Sequence, residues 1–524
     1  MNRSSLFIAL LLGISISAPS ILAQAPAKTA SQQQTYQPAV FASADRLQKI
    51  ESLYPAIDKI FRDYAEKNHF PGLTYGLVVD GKLVHSGGMG YTDVAKKTPA
   101  TPASVFRIAS MSKSVTVMAI LKLRDEGKLR LDEPVTTYMP EMRQQTPLTA
   151  DALPMTVRNL MAHSAGFPED NPWGDRQLAD PDTDFLAFLK NGVSLSNVPE
   201  TNYEYSNLAF AILGQIIKKV SGQTYQQYIT EKILKPLGMT HTEWEYTRVP
   251  ANQLAHGYRW LDGQWVEEDL LHDGSYGAMG GLLTSIEDFS KYVAYHQAAW
   301  PARNAPDNGP LKRSSVREMH LPRTFSGFSP NFKFPGGRAT PIVSHYGYGL
   351  GWVRDGEGRE YVGHSGGLPG FGSQWRFLPE YGIGVVAYAN LTYANIGTVN
   401  WAVLDTLLHG ADLKPRQLPV SPMLAQRKAE LVKLLPDWTN AEQSGIFGEN
   451  FFPDHSLENR RKATQALFTK IGAVKRVGEL MPENQLRGAF TIEGERGTLR
   501  IYFTLTPENP ALIQQLDVTE VLPN

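Results

Sequence analysis

The chain has no cysteine in 524 residues. That excludes disulfides, thiolate metal sites, a cysteine nucleophile and a lipid carried on an N-terminal cysteine. It has no charge bias either. Lys and Arg number 51 and Asp and Glu 52, for a formal net charge of -1. No basic stripe stands out, so nucleic acid is not expected as a partner. After the first residues no apolar run is long enough to cross a bilayer. The 12 histidines form no His-Glu-x-x-His pair or other close ligand spacing, so neither a metal nor another cofactor is expected. Internal repeats are missing too. What is left is an ordinary globular composition, 42% hydrophobic and 20% charged, in a chain too long for one core.

The N-terminus reads as an export signal. Arg3 gives a positive start, Leu6 to Ile16 a mostly apolar stretch, and Ala23-Gln24-Ala25 small residues for cleavage. Pro19 and the interspersed serines make this run short and broken for a stable membrane span. We therefore expect residues 1–25 to be a cleaved signal peptide, 26–42 a flexible tether, and the mature protein to be periplasmic or secreted. A helix is expected over Ser43–Lys67, interrupted at Pro55. Two β-rich runs around Asp80-Gly81 signal a hairpin. The middle of the chain reads as helices and long loops, with Gly127 and Gly222 at helix ends. From Gly347 short strands return as a meander, followed by an amphipathic helix over Ile396–Leu408. Strands from both ends of this region would build one α+β unit, 43–410. A proline-rich linker, 411–422, leads to a small α+β domain, 423–524, which we expect to serve as a cap or partner-docking module.

Three fragments carry chemistry. In Ser110-Met111-Ser112-Lys113, positions i and i+3 share a helix face, so the hydroxyl and the amine can meet. A serine hydroxyl needs a base to become a nucleophile, and a buried lysine can lose its charge to act as one. A serine at a helix start also has a backbone N–H to offer an oxyanion. Tyr205-Ser206-Asn207 places a phenol that can relay a proton beside an amide able to hold both Lys113 and a substrate carbonyl. Gly363-His364-Ser365-Gly366-Gly367 puts small residues at the end of a strand, where a substrate backbone can approach. Taken singly, each has a plain structural explanation: an N-cap, a core tyrosine, a glycine turn.

In this order the fragments resemble the serine β-lactamase and penicillin-binding-protein superfamily. The nearest likeness is to its class C-like branch of D-aminopeptidases, carboxylesterases and DD-peptidases. Asn159–Phe167 and Gly280–Asp288 resemble two lesser motifs of the same family, and the likeness spans about Leu47 to Leu408. It implies a five-stranded antiparallel sheet flanked by helices, with a mainly helical second lobe. It implies Ser110 as nucleophile, Lys113 as its partner, and Tyr205 as general base or acid. Asn207 would orient Lys113 and substrate, and His364, Ser365 and Gly366 would form the third wall. The N–H groups of Ser110 and Gly367 would make the oxyanion hole. His364 stands where β-lactamases of this class usually carry lysine, which shifts the expected chemistry from β-lactams toward esters, amides and D-amino-acid peptides. Selectivity would lie in loops such as Phe167–Asp180 and Pro322–Pro341.

Three rival readings share the sequence. Gly363–Gly367 also fits the Gly-x-Ser-x-Gly elbow, with Ser365 as nucleophile, but an elbow needs a helix directly after the serine. A catalytically silent binding or sensor protein could use the same fold. A metal enzyme would need ligands, and only His163 and His364 fall near the motifs, His163 reading as a helix-end residue.

Overall fold

The structure, a computed structural model, describes residues 36–522. The expected signal peptide lies outside the described residues, as does most of the tether. Proline splits the first helix as expected: α1 spans Arg46–Glu51 and α2 Tyr54–Lys67, with Pro55 in the first turn of α2. The Asp80-Gly81 turn joins β1 (Gly72–Val79) to β2 (Lys82–Asp93). After the two-residue β3 (Thr98–Pro99), the chain enters the helical part through α3 (Ser112–Asp125), α4 (Val157–Met161), α5 (Asn207–Ser221) and α6 (Ile286–Ala298). Gly222 closes α5 with φ 75°. The sheet resumes with β4 (Thr324–Lys333), β5 (Ala339–Tyr346), β6 (Gly351–Asp355), β7 (Glu360–Leu368), β8 (Phe371–Leu378) and β9 (Ile383–Ala389), and α7 (Ile396–Gly410) follows.

These strands form one sheet in the order β3-β2-β1-β9-β8-β7-β6-β5-β4. All pairs are antiparallel, and β1 from the chain start pairs with β9 from its end. The α+β class is as expected, but the sheet has nine strands rather than five. The additional length comes largely from β4, in the segment expected to be the loop Pro322–Pro341, and from β5, which begins at the end of that segment. Strand β4 is an edge with little burial, so it shows no buried alternation to read. Its Pro330 sits where the register slips against β5. One face of the sheet packs under α3, α5 and α6, the other under α2 and α7. Helix α3 is buried nearly all round. Its polar side chains are satisfied internally: the Ser114 hydroxyl donates to Met111 O at 3.0 Å and Thr116 to Ala278 O at 2.7 Å.

The end of the expected tether is tied down. Val40 and Gln417 exchange two backbone hydrogen bonds, and Phe41 lies under the guanidinium groups of Arg46 and Arg416. That pairing fixes the middle of the linker to the sheet unit. It was not legible because main-chain pairing needs no particular side chain. Beyond the linker, α8 (Pro422–Leu434) and α9 (Leu457–Ile471) accompany a five-stranded sheet of β10 (Val474–Val477), β11 (Met481–Asn484), β12 (Arg487–Gly494), β13 (Thr498–Leu505) and β14 (Ile513–Glu520). Its core, with Leu424, Trp438, Phe490 and Ile501, is a separate cluster. No helix among the described residues is long and apolar enough to cross a membrane.

Candidate active site

Ser110 sits in a 3-10 turn leading into α3. Ala109 before it has φ 49°, a conformation that strains any residue with a side chain. The turn is held by Ile108 N–H donating to Leu282 O at 2.9 Å, and by Ser373 donating to Ile108 O at 2.7 Å. Strand β7 runs alongside. A Cβ on Gly366 would lie 2.3 Å from Ile108 O and one on Gly367 2.9 Å from the Tyr393 ring. Glycine there is thus a packing requirement that lets the strand lie against the Ser110 turn.

Lys113 is fully buried one turn into the helix. Its Nζ lies 2.9 Å from Ser110 Oγ, 2.7 Å from Asn207 Oδ1 and 2.9 Å from Met279 O. Burial pulls the amine down to about 7, against the opposing charges of Asp170 and Asp175. At that value the neutral form is well populated near pH 7. A neutral amine has two hydrogens and a lone pair. Two of its neighbours are carbonyl oxygens that can only accept, so the lone pair is left for the Ser110 hydroxyl.

Asn207 is locked in turn. Its Nδ2 donates to Trp173 O at 3.1 Å, which fixes its Oδ1 toward Lys113. Asp170 accepts from the backbone N–H groups of Asn207 and Leu208 and from the Ser206 hydroxyl, capping the start of α5. Tyr205 packs its ring 4.9 Å from Lys113 Nζ. Burial holds its phenol well above 10, and the Ser110 hydroxyl opposes that only in part. His163 follows α4 with φ 53°. It does not cap that helix; its Nδ1 accepts the N–H of Ser206 at 3.1 Å, and its ring packs on Tyr205 and Tyr346.

The third fragment lies within β7 rather than in a turn. The His364 Nδ1–H donates to the Ser365 carbonyl, and Nε2 accepts from the Tyr346 hydroxyl at 2.8 Å. Burial, then the charge of Lys113, pushes this imidazole down to about 3. It is neutral, so this wall carries no cation where a lysine would bring one. Ser365 is exposed and pairs with Gln374 of the next strand. No helix follows it, and the sheet is antiparallel, so the geometry of a nucleophile elbow is missing.

Ser110, Tyr205, His364, Ser365, Gly366 and Gly367 line one cavity of about 410 Å3; Lys113 and Asn207 stand behind Ser110. All the residues expected from the sequence therefore converge. Sequence reasoning missed Met279 O, Asp170 and Tyr346. Asp170 follows the Asn159–Phe167 motif closely and could have been suspected as a cap; the other two left no signal. Among the described residues, no three of His, Asp and Glu gather as metal ligands.

A family profile described as Beta-lactamase matches residues 57–407. The chain is 31% identical over 342 residues to Protein flp of Staphylococcus aureus (strain N315), across 64% of this chain and 62% of that protein. It thus spans less than two thirds of that relative. It is 26% identical over 393 residues to Unguisins hydrolase ungD' of Aspergillus campestris, across 70% of this chain and 67% of that protein. Its fold is similar to the octameric penicillin-binding protein homologue from Pyrococcus abyssi, with a TM-score of 0.56, 23% identity, and coverage of 89% of this chain and 98% of that one.

Proposed function

The chain belongs to the Beta-lactamase family, and on that premise we propose that it is a serine hydrolase passing acyl groups to water through an ester on Ser110. The observation that carries this is the Lys113 amine, 2.9 Å from Ser110 Oγ and lowered to about 7 while two carbonyls occupy its hydrogens. Ser110 Oγ bonds to the substrate carbonyl carbon as its proton passes to the neutral amine. The backbone N–H groups of Ser110 and Gly367 receive the oxyanion. Tyr205, whose phenol stays protonated, gives its proton to the leaving group and is refilled from Lys113. The carbonyl–leaving-group bond breaks, and water repeats the sequence to release the acid and free serine.

The neutral His364 favours esters, amides and D-amino-acid peptides over β-lactams. One relative is itself named a hydrolase. The N-terminal pattern of Arg3, Leu6–Ile16 and Ala23-Gln24-Ala25 supports export of the mature enzyme to the periplasm or outside the cell. The test is covalent labelling by a fluorophosphonate, with turnover of short-chain esters, D-alanyl peptides and a chromogenic cephalosporin. We expect Ser110→Ala to abolish label and turnover and Ser365→Ala to keep the label. Loss of label only in Ser365→Ala would move the nucleophile. No label and no turnover with any substrate would identify a silent binding protein.

A further inference from the structure

The edges of the two main sheets are blunted, with one exception. At the ends of the nine-stranded sheet, β3 is two residues long and β4 carries Pro330 where its register slips. In the C-terminal sheet, β10 slips against β12 and carries Lys475 and Arg476, and β11 carries Pro482. The last strand, β14, is an edge without these devices. Its register against β13 is unbroken from Gln515 to Glu520, and it holds no proline, lysine or arginine.

Val521 N–H donates to Thr498 O at 2.9 Å, so by alternation the N–H and C=O groups of Leu516, Val518 and Glu520 face away from β13. At Ile513 that outer side is taken. Its N–H donates to Ile446 O at 2.8 Å, and its carbonyl accepts from Gly448 N–H at 2.9 Å. Among the described residues, no backbone hydrogen bond continues this pairing past Ile513. A cavity of about 590 Å3 opens there instead. Gln514 to Val518 line it consecutively, so residues of both strand faces reach it and the strand presents its edge. Asn459, Arg460, Ala463, Thr464 and Leu467, neighbours on one face of α9, form the opposite wall. Buried Trp438 also lines it, fixed by its Nε1–H donating to Thr464 Oγ1 at 2.8 Å.

The rim of this groove has acidic charge to answer. Asp454 and Asp517 line it, and neither forms an ion pair among the described residues; Asp517 accepts from the Gln515 amide at 2.8 Å. The one arginine of the lining, Arg460, is spent. Its Nε donates to His455 O at 3.0 Å and its Nη2 to Phe451 O at 2.8 Å, and its guanidinium stacks on the Phe451 ring at 3.7 Å.

We propose that this groove docks an extended segment of a partner protein, which adds to β14 as a further strand and alternates apolar with basic residues. Main-chain pairing with Leu516 and Val518 holds the strand, its apolar side chains face Leu467 and Leu516, and its lysines or arginines meet Asp454 and Asp517. About five residues fill the length from Gln514 to Val518. The site belongs to the C-terminal domain and does not depend on Ser110.

The test uses the full chain and a fluorescent hexapeptide of alternating Lys and Val, blocked at both ends. It should bind saturably, with a Kd of about 100 μM or tighter. A counterpart of alternating Glu and Val should bind at least about tenfold more weakly. Two further peptides are N-methylated, one on every Lys amide and one on every Val amide. One should lose binding and the other keep it, because a strand paired along one edge turns only alternate N–H groups to its neighbour. Ala463→Trp, at an exposed position of α9, should fill the groove and cut affinity by about tenfold or more with the urea midpoint unchanged. Asp517→Lys should narrow or reverse the preference for the Lys peptide. Amide exchange across Gln514–Glu520 should slow on binding. No saturable binding by the native chain overturns the proposal. So do equal affinities for the Lys and Glu peptides, N-methylated peptides that behave alike, or exchange that slows elsewhere but not in β14.

Discussion

Lys113 and Arg376 are two cations taken out of water at opposite ends of one site, and the fold treats them in opposite ways. Lys113 is given three polar neighbours, two of which can only accept. Arg376 is given an indole face and nothing polar for its Nε. The difference follows from the side chains. A lysine can answer burial by releasing its proton and so become a base. An arginine cannot, so its charge persists until something else neutralises it. One cation is therefore suited to moving protons, while the other keeps its charge.

The sharpest way to break that contrast is Lys113→Arg, which keeps the charge and removes the ability to lose it. Acylation should fall by about 10²- to 10⁴-fold. In the native enzyme, kcat/KM should rise with pH by roughly tenfold per unit up to about 7 and then level, because the amine must be neutral to accept the Ser110 proton. The groups facing Lys113 agree with that sign. His163 and His364 stay neutral through this range, and Asp175, which burial raises to about 6, is largely ionised above it. A stopped-time ester assay across pH checks it, and a flat profile between pH 5 and 8 would remove Lys113 as the base.

Stability offers a second, smaller contrast. Lys113→Met strands Asn207 Oδ1 and Met279 O, and should lower unfolding free energy by about 1–3 kcal/mol. Arg376→Met strands nothing and keeps a contact with Trp401. Its stability should stay within about 1 kcal/mol of the parent or rise above it. Urea midpoints of the two variants measure the gap; equal losses would mean that Arg376 has a partner after all. A modest effect is expected of Tyr346→Phe. It removes the donor to His364 Nε2 and should cost about 1 kcal/mol of stability, with less than about a tenfold change in ester turnover.

Much of the architecture could be read in advance. The Asp80-Gly81 hairpin, the break at Pro55 and the helix end at Gly222 follow from local chemistry, and the structure has each one. The edge strand β4 and its neighbour β5 escaped, since largely exposed strands lack a buried face to set their period. The motif residues were also legible, because a helix fixes Ser110 against Lys113 by spacing alone. The residues that tune them were not. Asp170 acts through backbone N–H groups, Tyr346 through a side chain at the end of a strand that the sequence did not signal, and Met279 through its carbonyl.

By itself the sequence determined which groups could react: an alcohol and an amine one helical turn apart, a phenol, and a glycine strand. Only tertiary structure decided their charge. The carbonyls that take up Lys113's hydrogens come from 94 and 166 residues away. The Tyr346 hydroxyl reaches His364 across the sheet, and Arg376 was left without a carboxylate by what packed around it. Protonation depends on solvent exclusion and on neighbouring dipoles, and neither exists until distant segments meet.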